Sequence, residues 1–163
     1  MFNNFTTFNS DISGWDVSNV TGMGSMFNNT TFNSGINDWD VSSVTNMTLM
    51  FWESNYNQPL NNWDVSNVID TYGMFSNASA FNQDIGDWNT SNVTNMQFMF
   101  YSNSAFNQDI GDWDVSNVTD MLGMFRYSSA FNQDLSMWNV VNVTDAFNFG
   151  ANTPQWTLPK PIF

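Results

Sequence analysis

The chain has 163 residues and a formal net charge of −13 at pH 7, because fifteen acidic side chains face only two basic ones. That charge excludes the strong electrostatic contact with phosphate groups on which binding to nucleic acid and anionic membranes depends. Apolar residues make up 42% of the chain and aromatic residues 17%, which is enough to build a core and excludes a disordered protein.

Nothing in the sequence predicts a membrane span or a secretion signal. No apolar run approaches the roughly 20 residues that a spanning helix needs. The first residues, MFNNFTTFNSD, lack the basic and apolar blocks of a signal peptide. Met1 and Phe2 instead fall in register with Met26 and Phe27 of the repeat described next. We therefore expect the first face of the chain to be covered, either within a longer protein or by another chain.

A unit of 24 or 25 residues is repeated six times. The units align on six tryptophans with spacings of 24, 24, 25, 25 and 25 residues: Trp15, Trp39, Trp63, Trp88, Trp113 and Trp138. Such a repeat predicts stacked units, because one unit cannot bury its own apolar face. We assign the stack to residues 1–149, with units starting at residues 1, 26, 50, 74, 99 and 124. Residues 150–163 carry three prolines and are predicted to form a C-terminal cap or linker.

Within each unit the apolar residues follow the pattern I-x-x-W-x-V-x-x-V-x-x-M-x-x-M-F. The pattern fits neither one long helix nor one amphipathic strand. The alternation Trp-x-Val predicts a short strand whose flanking side chains point outward. The spacing of Met74, Phe75, Ala78 and Phe81 predicts an apolar face on about two helical turns. The sequence therefore predicts a strand, a turn and a short helical segment in every unit.

The repeated words F-N-Q-D-I, W-D-V-S-N-V-T and M-F, together with the spacing Ile110-x-x-Trp113-x-Val115, resemble the repeat of BspA-like leucine-rich-repeat surface proteins of bacteria and mycoplasmas. This resemblance covers residues 1 to about 149. It implies a leucine-rich-repeat-like, right-handed superhelical solenoid, with short parallel strands on the concave face and short helical or 3-10 segments on the convex face. It also implies display outside the cell, in a family often linked to adhesion, and it brings no catalytic residues.

One asparagine recurs six residues before each tryptophan: Asn9, Asn33, Asn57, Asn82, Asn107 and Asn132. Amides stacked at the spacing of about 4.8 Å between strands can hydrogen-bond along the stack and hold the backbone of the turn. We interpret this column as a structural ladder.

Aspartates flank the tryptophans on both sides. Asp16, Asp40, Asp64 and Asp114 come directly after a tryptophan, and Asp38, Asp87 and Asp112 come directly before one. Carboxylates stacked one unit apart repel each other. Solvent and salt could relieve this repulsion on an exposed face. The alternative is calcium, which prefers oxygen ligands and could relieve the repulsion by lying between neighbouring side chains. Apart from this alternative we predict no cofactor.

A few residues break the repeat, and we interpret four of them as a binding patch. Trp52 and Arg126 occupy the position directly after the Met-Phe pair, where other units have Asn28 or Ser76. Glu53 and Tyr127 follow them. Aromatic and arginine side chains on an exposed face can anchor a partner, although a single surface aromatic residue needs no functional explanation.

The sequence does not predict an enzyme. Histidine and cysteine are absent, which removes the commonest general base and the thiolate nucleophile. Near-identical units also place every carboxylate in a similar environment, whereas glycoside hydrolysis needs two unlike ones. We predict an extracellular or surface-displayed binding and adhesion module for a protein or glycan ligand. The alternative is a structural spacer, in which uncovered ends associate with other copies.

Overall fold

The computed structural model describes residues 2–163, and these residues contain no helix and no multi-residue strand. The only regular backbone pairing is a chain of isolated parallel bridges between single residues of successive units. These bridges join Gly22 to Asn46, Asn46 to Asp70, Asp70 to Asn95, Asn95 to Asp120, and Asp120 to Asp145. The prediction of a leucine-rich-repeat-like strand-and-helix solenoid is therefore wrong. The fold is a stack of mostly irregular units that consist of turns.

The predicted Trp-x-Val strand does not form because tight turns consume its backbone donors within the unit. The N–H of Trp39 donates to the carbonyl of Ile36 (3.2 Å), and the N–H of Val44 donates to the carbonyl of Val41 (2.9 Å). Parallel pairing instead occurs seven residues after each tryptophan, as at Asn46. The side-chain alternation was interpreted correctly, since Trp39 and Val41 are buried and Asp40 is exposed, but the backbone around it is not extended over several residues.

The predicted helical segment is a run of turns with left-handed residues. At the junction of the third and fourth units, Gly73 and Asn77 have φ values of 57° and 56°. Positive φ at these positions turns alternate N–H groups toward the next unit: Gly73 donates to Gln97 (2.9 Å), Phe75 to Met99 (2.9 Å) and Asn77 to Tyr101 (2.7 Å). A helix would send each of these donors back along its own axis instead.

The same two left-handed positions recur in every unit, and most of them are not glycine. The first column contains Ser25, Leu49, Gly73, Phe98, Gly123 and Asn148, and the second contains Asn4, Asn29, Glu53, Asn77, Ser102, Tyr127 and Asn152. A left-handed conformation costs an L-residue roughly 1–2 kcal/mol. The hydrogen bonds between units hold these residues in a conformation that most of them would avoid in isolation.

The core consists of aromatic columns that run through the stack. Phe27, Phe51, Phe75, Phe100 and Phe125 are fully buried, and consecutive rings in this column lie 5.6, 5.5, 5.7 and 5.4 Å apart in nearly parallel planes. A second column stacks Trp63, Trp88, Trp113 and Trp138 at 6.4 Å. Aromatic rings provide large apolar contact area and add a specific stacking contribution. Each unit therefore depends on its neighbours for its core.

The C-terminal residues cover the last unit. The ring of Trp156 packs edge-on against Phe131 with centroids 4.8 Å apart, and its indole N–H donates to the carbonyl of Gln133 (2.9 Å). The N–H of Leu135 donates to the carbonyl of Pro159 (3.0 Å). Residues 2–163 contain no helix that is long and apolar enough to cross a membrane.

The effect of the left-handed conformation on stability can be tested at Glu53, which is exposed and has a φ of 53°. Glu53→Gly should raise the free energy of unfolding by about 0.5–1 kcal/mol, because the relief of left-handed strain exceeds the entropy cost of glycine. The midpoint of thermal unfolding, measured by calorimetry, should rise by about 1–4 °C.

Two control variants separate this effect from charge and from glycine itself. Glu53→Gln removes the same charge and keeps the strain, so its midpoint should stay close to that of the wild type. Asn55→Gly, two residues further along, replaces an exposed residue that lacks a positive φ and should lower the midpoint. A decrease for Glu53→Gly equal to that for Asn55→Gly would contradict the left-handed conformation.

Candidate functional site

The asparagine column joins each unit to the next through a side chain. The Oδ1 of Asn9 accepts a hydrogen bond from the backbone N–H of Asn33 (2.8 Å), and the same contact recurs at 2.7–3.0 Å up to Asn132 through Asn57, Asn82 and Asn107. The Oδ1 of Asn132 then accepts the N–H of Thr157 (2.7 Å) from the C-terminal segment. The Oδ1 atoms of this column therefore hold backbone groups between units.

The aspartates that follow the tryptophans are exposed and are hydrogen-bonded to their own units. The Oδ1 of Asp16 accepts hydrogen bonds from the hydroxyl (2.6 Å) and the backbone N–H (3.1 Å) of Ser18. The Oδ1 of Asp40 accepts the same two hydrogen bonds from Ser42. These hydrogen bonds lower the pKa of Asp16 and of Asp40. The pKa of Asp64 is lowered in the same way by Ser66, and that of Asp114 by Ser116.

Neighbouring members of this column repel each other. The charge of Asp16 raises the pKa of Asp40, and the charge of Asp40 raises that of Asp64, although the hydrogen bonds outweigh both effects. Asn89 and Asn139 interrupt the column on either side of Asp114. The stacked carboxylates are therefore close enough to interact only in the first half of the chain.

The aspartates that precede the tryptophans, Asp38, Asp87 and Asp112, are also exposed. The Oδ1 of Asp38 accepts a hydrogen bond from the side-chain amide of Asn62 (3.3 Å). Within residues 2–163 no group of three or more acidic side chains converges in a way that could hold a metal ion. Calcium binding between these columns stays a prediction.

The residues that break the repeat surround a groove of about 260 Å³. Two of the four predicted binding residues, Trp52 and Arg126, line it. Its other lining residues are Leu49, Tyr72, Gly73, Ser76, Asn77, Phe98 and Tyr101. The sequence alone did not identify the contribution of Tyr72, Phe98 and Tyr101.

Glu53 and Tyr127 lie beside the groove and do not line it. The Tyr127 ring stacks under the guanidinium of Arg126 at 4.8 Å, and the Arg126 Nη2 donates to the Tyr127 hydroxyl (3.0 Å). Tyr127 also packs edge-on against Tyr101, with centroids 5.7 Å apart. Tyr127 thus orients Arg126. Glu53 directly follows Trp52 in the sequence, and its side chain is exposed.

Large and small residues alternate along one wall of the groove. A Cβ atom on Gly73 would lie 2.7 Å from the Leu49 side chain, and one on Gly123 would lie 2.7 Å from the Phe98 ring. Leu49 and Phe98 therefore extend over the glycines of the following units. The Phe98 ring packs edge-on against Tyr72 (6.0 Å) and Tyr101 (5.5 Å). These contacts hold the aromatic side chains of the wall in place.

The charge of the groove is opposite to that of the protein. Arg126 is one of two basic residues in a chain with a net charge of −13, and no aspartate or glutamate lines the groove. The Arg126 Nε is buried and has no hydrogen-bond partner within residues 2–163. The groove thus combines aromatic surface, hydroxyl and amide groups, and one cation.

The missed groove residues do leave a signal in the repeat. Tyr72 occupies the position at which other units have Gly24, Thr48 or Gln97. Phe98 stands where Ser25 and Gly73 stand elsewhere. Neither column is uniform, however, because Leu122 and Phe147 share the column of Tyr72 and Leu49 shares the column of Phe98. A search for large residues in these columns would have selected these three residues as well, and it would not have shown which side of the stack Tyr72 and Phe98 share.

The sequence profile of the family described as "Mycoplasma protein of unknown function, DUF285" matches residues 1–79 and again residues 53–157. The chain therefore belongs to this family of repeat proteins. Searches of curated proteins and of solved structures give no match.

The lowered pKa values predict how stability depends on pH. A carboxyl whose pKa in the folded state lies below the unfolded value of about 3.9 stabilises the fold above that pH. This stabilisation is lost as the pH falls through the folded-state pKa. The unfolding midpoint should therefore fall between about pH 5 and pH 2 in the wild type. The midpoint should fall less steeply with pH in the triple variant Asp16→Asn/Asp40→Asn/Asp64→Asn, because asparagine does not titrate. Asparagine at these positions keeps the oxygen that accepts the serine hydrogen bonds, as Asn89 does for Ser91.

The matched control is Asp38→Asn/Asp87→Asn/Asp112→Asn, which removes the same number of charges from the neighbouring column and leaves the serine hydrogen bonds of Asp16, Asp40 and Asp64 in place; the first triple variant should reduce the slope more than this control does. Equal slopes for the two triple variants would contradict the stabilisation of Asp16, Asp40 and Asp64 by their serine hydrogen bonds.

The same set of proteins tests calcium binding, because a cation bound only to the folded state raises the unfolding midpoint. A calcium-dependent rise that both triple variants reduce would support the ladder, and no rise in the wild type would leave the carboxylates as solvated surface.

Proposed function

We propose that the chain is a non-catalytic binding module, displayed outside the cell, which recognises a protein or glycan ligand through the groove around Trp52 and Arg126. The groove itself is the observation that carries this proposal. Much of the remaining surface repeats the same polar residues from unit to unit, whereas unlike residues from successive units line this groove.

The composition of the groove fits recognition. Tryptophan, tyrosine and arginine dominate the energetically important positions of protein interfaces. Trp52 and Arg126 are only partly buried, so their side chains can contact a ligand. Aromatic faces, hydroxyl groups and amides suit the rings and hydroxyl groups of a glycan as well as a peptide. Because no acidic residue lines the groove, no adjacent carboxylate repels a negatively charged group of a ligand there.

The same composition does not suit catalysis. The lining residues are aromatic and aliphatic residues, glycine, serine, asparagine and one arginine, and none is a carboxylate, a histidine or a cysteine. The groove therefore offers no general base of suitable pKa at neutral pH.

The location outside the cell is supported by the resemblance of the F-N-Q-D-I and W-D-V-S-N-V-T words to repeats of bacterial surface proteins.

A second candidate function, a spacer that associates with other copies, is favoured by exposed aromatic side chains of the first unit. Phe5 and Trp15 at this end are exposed. Exposed aromatic surface of this kind can drive association. Sedimentation at several protein concentrations distinguishes the two functions, since only the spacer requires the mass to grow with concentration.

The groove can be tested with an array of immobilised glycans and a panel of extracellular-matrix proteins. We expect the wild-type chain to bind at least one of these probes, and Trp52→Ala or Arg126→Ala to weaken that binding about tenfold or more. Unchanged unfolding midpoints would show that the variants are folded.

The chain offers a matched control for each variant. Lys160→Ala removes the only other basic residue, and Met137→Ala truncates a highly exposed apolar side chain; both residues lie outside the groove. Both controls should bind like the wild type. Binding that persists in Trp52→Ala and Arg126→Ala, or that Lys160→Ala weakens equally, would contradict the proposed site.

A further inference from the structure

One column of the groove has a small residue between two aromatic ones. The position directly after the Met-Phe pair is occupied in four successive units by Trp52, Ser76, Tyr101 and Arg126, and all four residues line the groove. At the usual spacing of about 4.8 Å between paired backbones, Trp52 and Tyr101 are separated by roughly 10 Å along the stack. The small side chain of Ser76 leaves the space between them open.

The core shows what fits between two aromatic side chains that are two units apart. Phe51, Phe75 and Phe100 belong to three successive units, and the Phe75 ring lies 5.5 and 5.7 Å from its two neighbours. One ring therefore fills the space between rings that are two units apart. In the groove Ser76 takes the place of the middle ring, so the space above it has room for one ring of a ligand.

The side chains around this space are held in position by contacts within the chain. Tyr101 packs edge-on against Phe98 (5.5 Å) and against Tyr127 (5.7 Å). The Leu49 side chain covers Gly73, where an added Cβ atom would lie 2.7 Å from it. Because the site is already formed, a ligand loses less binding free energy to the ordering of side chains.

Arg126, at the end of this column, is a cation without a carboxylate partner. Its side chain donates a hydrogen bond to the Tyr127 hydroxyl (3.0 Å), and it forms no ion pair within residues 2–163, although the chain contains fifteen acidic residues. A guanidinium can bind a carboxylate through two parallel hydrogen bonds. Charge complementarity therefore favours a ligand with a carboxylate, whereas the net charge of −13 opposes a ligand with many negative charges.

The backbone of the groove is already hydrogen-bonded within the chain. Each of the nine lining residues donates its N–H and accepts a hydrogen bond at its carbonyl; Gly73, for example, donates to Gln97 (2.9 Å) and accepts from Ser76 (3.0 Å). A peptide that binds as an added strand needs unpaired backbone groups. The groove therefore recognises its ligand through side chains, which disfavours an extended peptide.

The polar side chains of the groove suit the hydroxyl groups of a sugar. The hydroxyls of Tyr72 and Tyr101 and the indole N–H of Trp52 make no hydrogen bond within the part of the chain that the structure describes, and all three residues line the groove. A hydroxyl can both donate and accept, so it can pair with a sugar hydroxyl in either direction. The apolar faces of the aromatic rings can cover the C–H groups of a sugar ring.

Resting on the proposed function of the groove, we propose that its ligand is a short stretch of glycan that carries one carboxylate. One sugar ring lies in the space above Ser76, between Trp52 and Tyr101. The carboxylate, on this ring or on the next one, accepts hydrogen bonds from the Arg126 guanidinium.

The experiment compares two pairs of oligosaccharides that differ in the presence of a carboxylate. Cellobiouronic acid is paired with cellobiose, and sialyllactose is paired with lactose. Calorimetric titration measures the dissociation constants, and the indole N–H resonance of Trp52, identified with Trp52→Phe, reports binding in the groove. We expect at least one acidic oligosaccharide to shift this resonance and to bind about tenfold or more tightly than its neutral counterpart.

Variants at the basic residues test the origin of this preference. Arg126→Gln should remove it, so that the acidic oligosaccharide binds no more tightly than the neutral one. Arg126→Lys keeps the charge but not the planar pair of donors, and it should retain part of the preference. The matched control Lys160→Gln removes the other basic residue, which lies outside the groove, and should keep the full preference. Unchanged unfolding midpoints would show that the variants are folded.

The possible failures separate this inference from the proposed function. Equal binding within both pairs, or a preference that Arg126→Gln leaves intact, would overturn the carboxylate while the groove remains a binding site. Binding of a matrix protein that Trp52→Ala abolishes, without binding of either acidic oligosaccharide, would also overturn the inference alone. If no glycan and no protein binds to the wild type, both the inference and the proposed function are wrong.

Discussion

Hydrogen bonds between successive units are the constraint on which the rest of the structure depends. In the aromatic half of a unit, alternate backbone N–H groups such as those of Gly73 and Phe75 donate forward to the next unit. In the tryptophan half, the indole and the threonine N–H donate backward to the previous unit, as Trp39 and Thr45 do. Because both directions are satisfied between units, no unit needs a helix or a strand of its own.

This constraint explains the unusual conformation of the turns. In these turns alternate N–H groups all donate to one neighbour, and the backbone enters the left-handed region twice in each unit. Leu49, Glu53 and Phe98 adopt this conformation although their side chains disfavour it. Glycine accepts it without strain, as at Gly73 and Gly123, and asparagine tolerates it better than most residues. The repetition of the hydrogen bonds in each unit offsets the local cost.

The sequence predicted which side chains are buried, but not the path of the backbone. The aliphatic, tryptophan, valine and Met-Phe columns form one buried core, as their repetition indicated. The spacing of Met74, Phe75, Ala78 and Phe81 suggested a helix, because a helix would place these four side chains on one face. Apolar spacing shows only which side chains share a face, however, and a run of turns can place the same side chains together. A left-handed Leu49 or Phe98 has no sequence signature that would have distinguished these paths.

The candidate groove shows the same division. Trp52 and Arg126 could be selected from the sequence because each breaks a polar column. Tyr72 and Phe98 lie in columns that a helix would have directed elsewhere, so only the turn geometry shows that they face Trp52. The repeated core and ladders build the scaffold, while Trp52, Arg126 and their neighbours in the groove depart from the repeat.

The left-handed turns can be tested most directly by NMR in solution, which reports the φ angles of Leu49, Glu53 and Phe98. We predict positive φ at all three residues, seen as strong intraresidue NOEs between the Hα and amide protons, and no helical NOEs between residues three positions apart. Negative φ at these residues, together with helical contacts across residues 74–81, would contradict this prediction and would restore a strand-and-helix repeat.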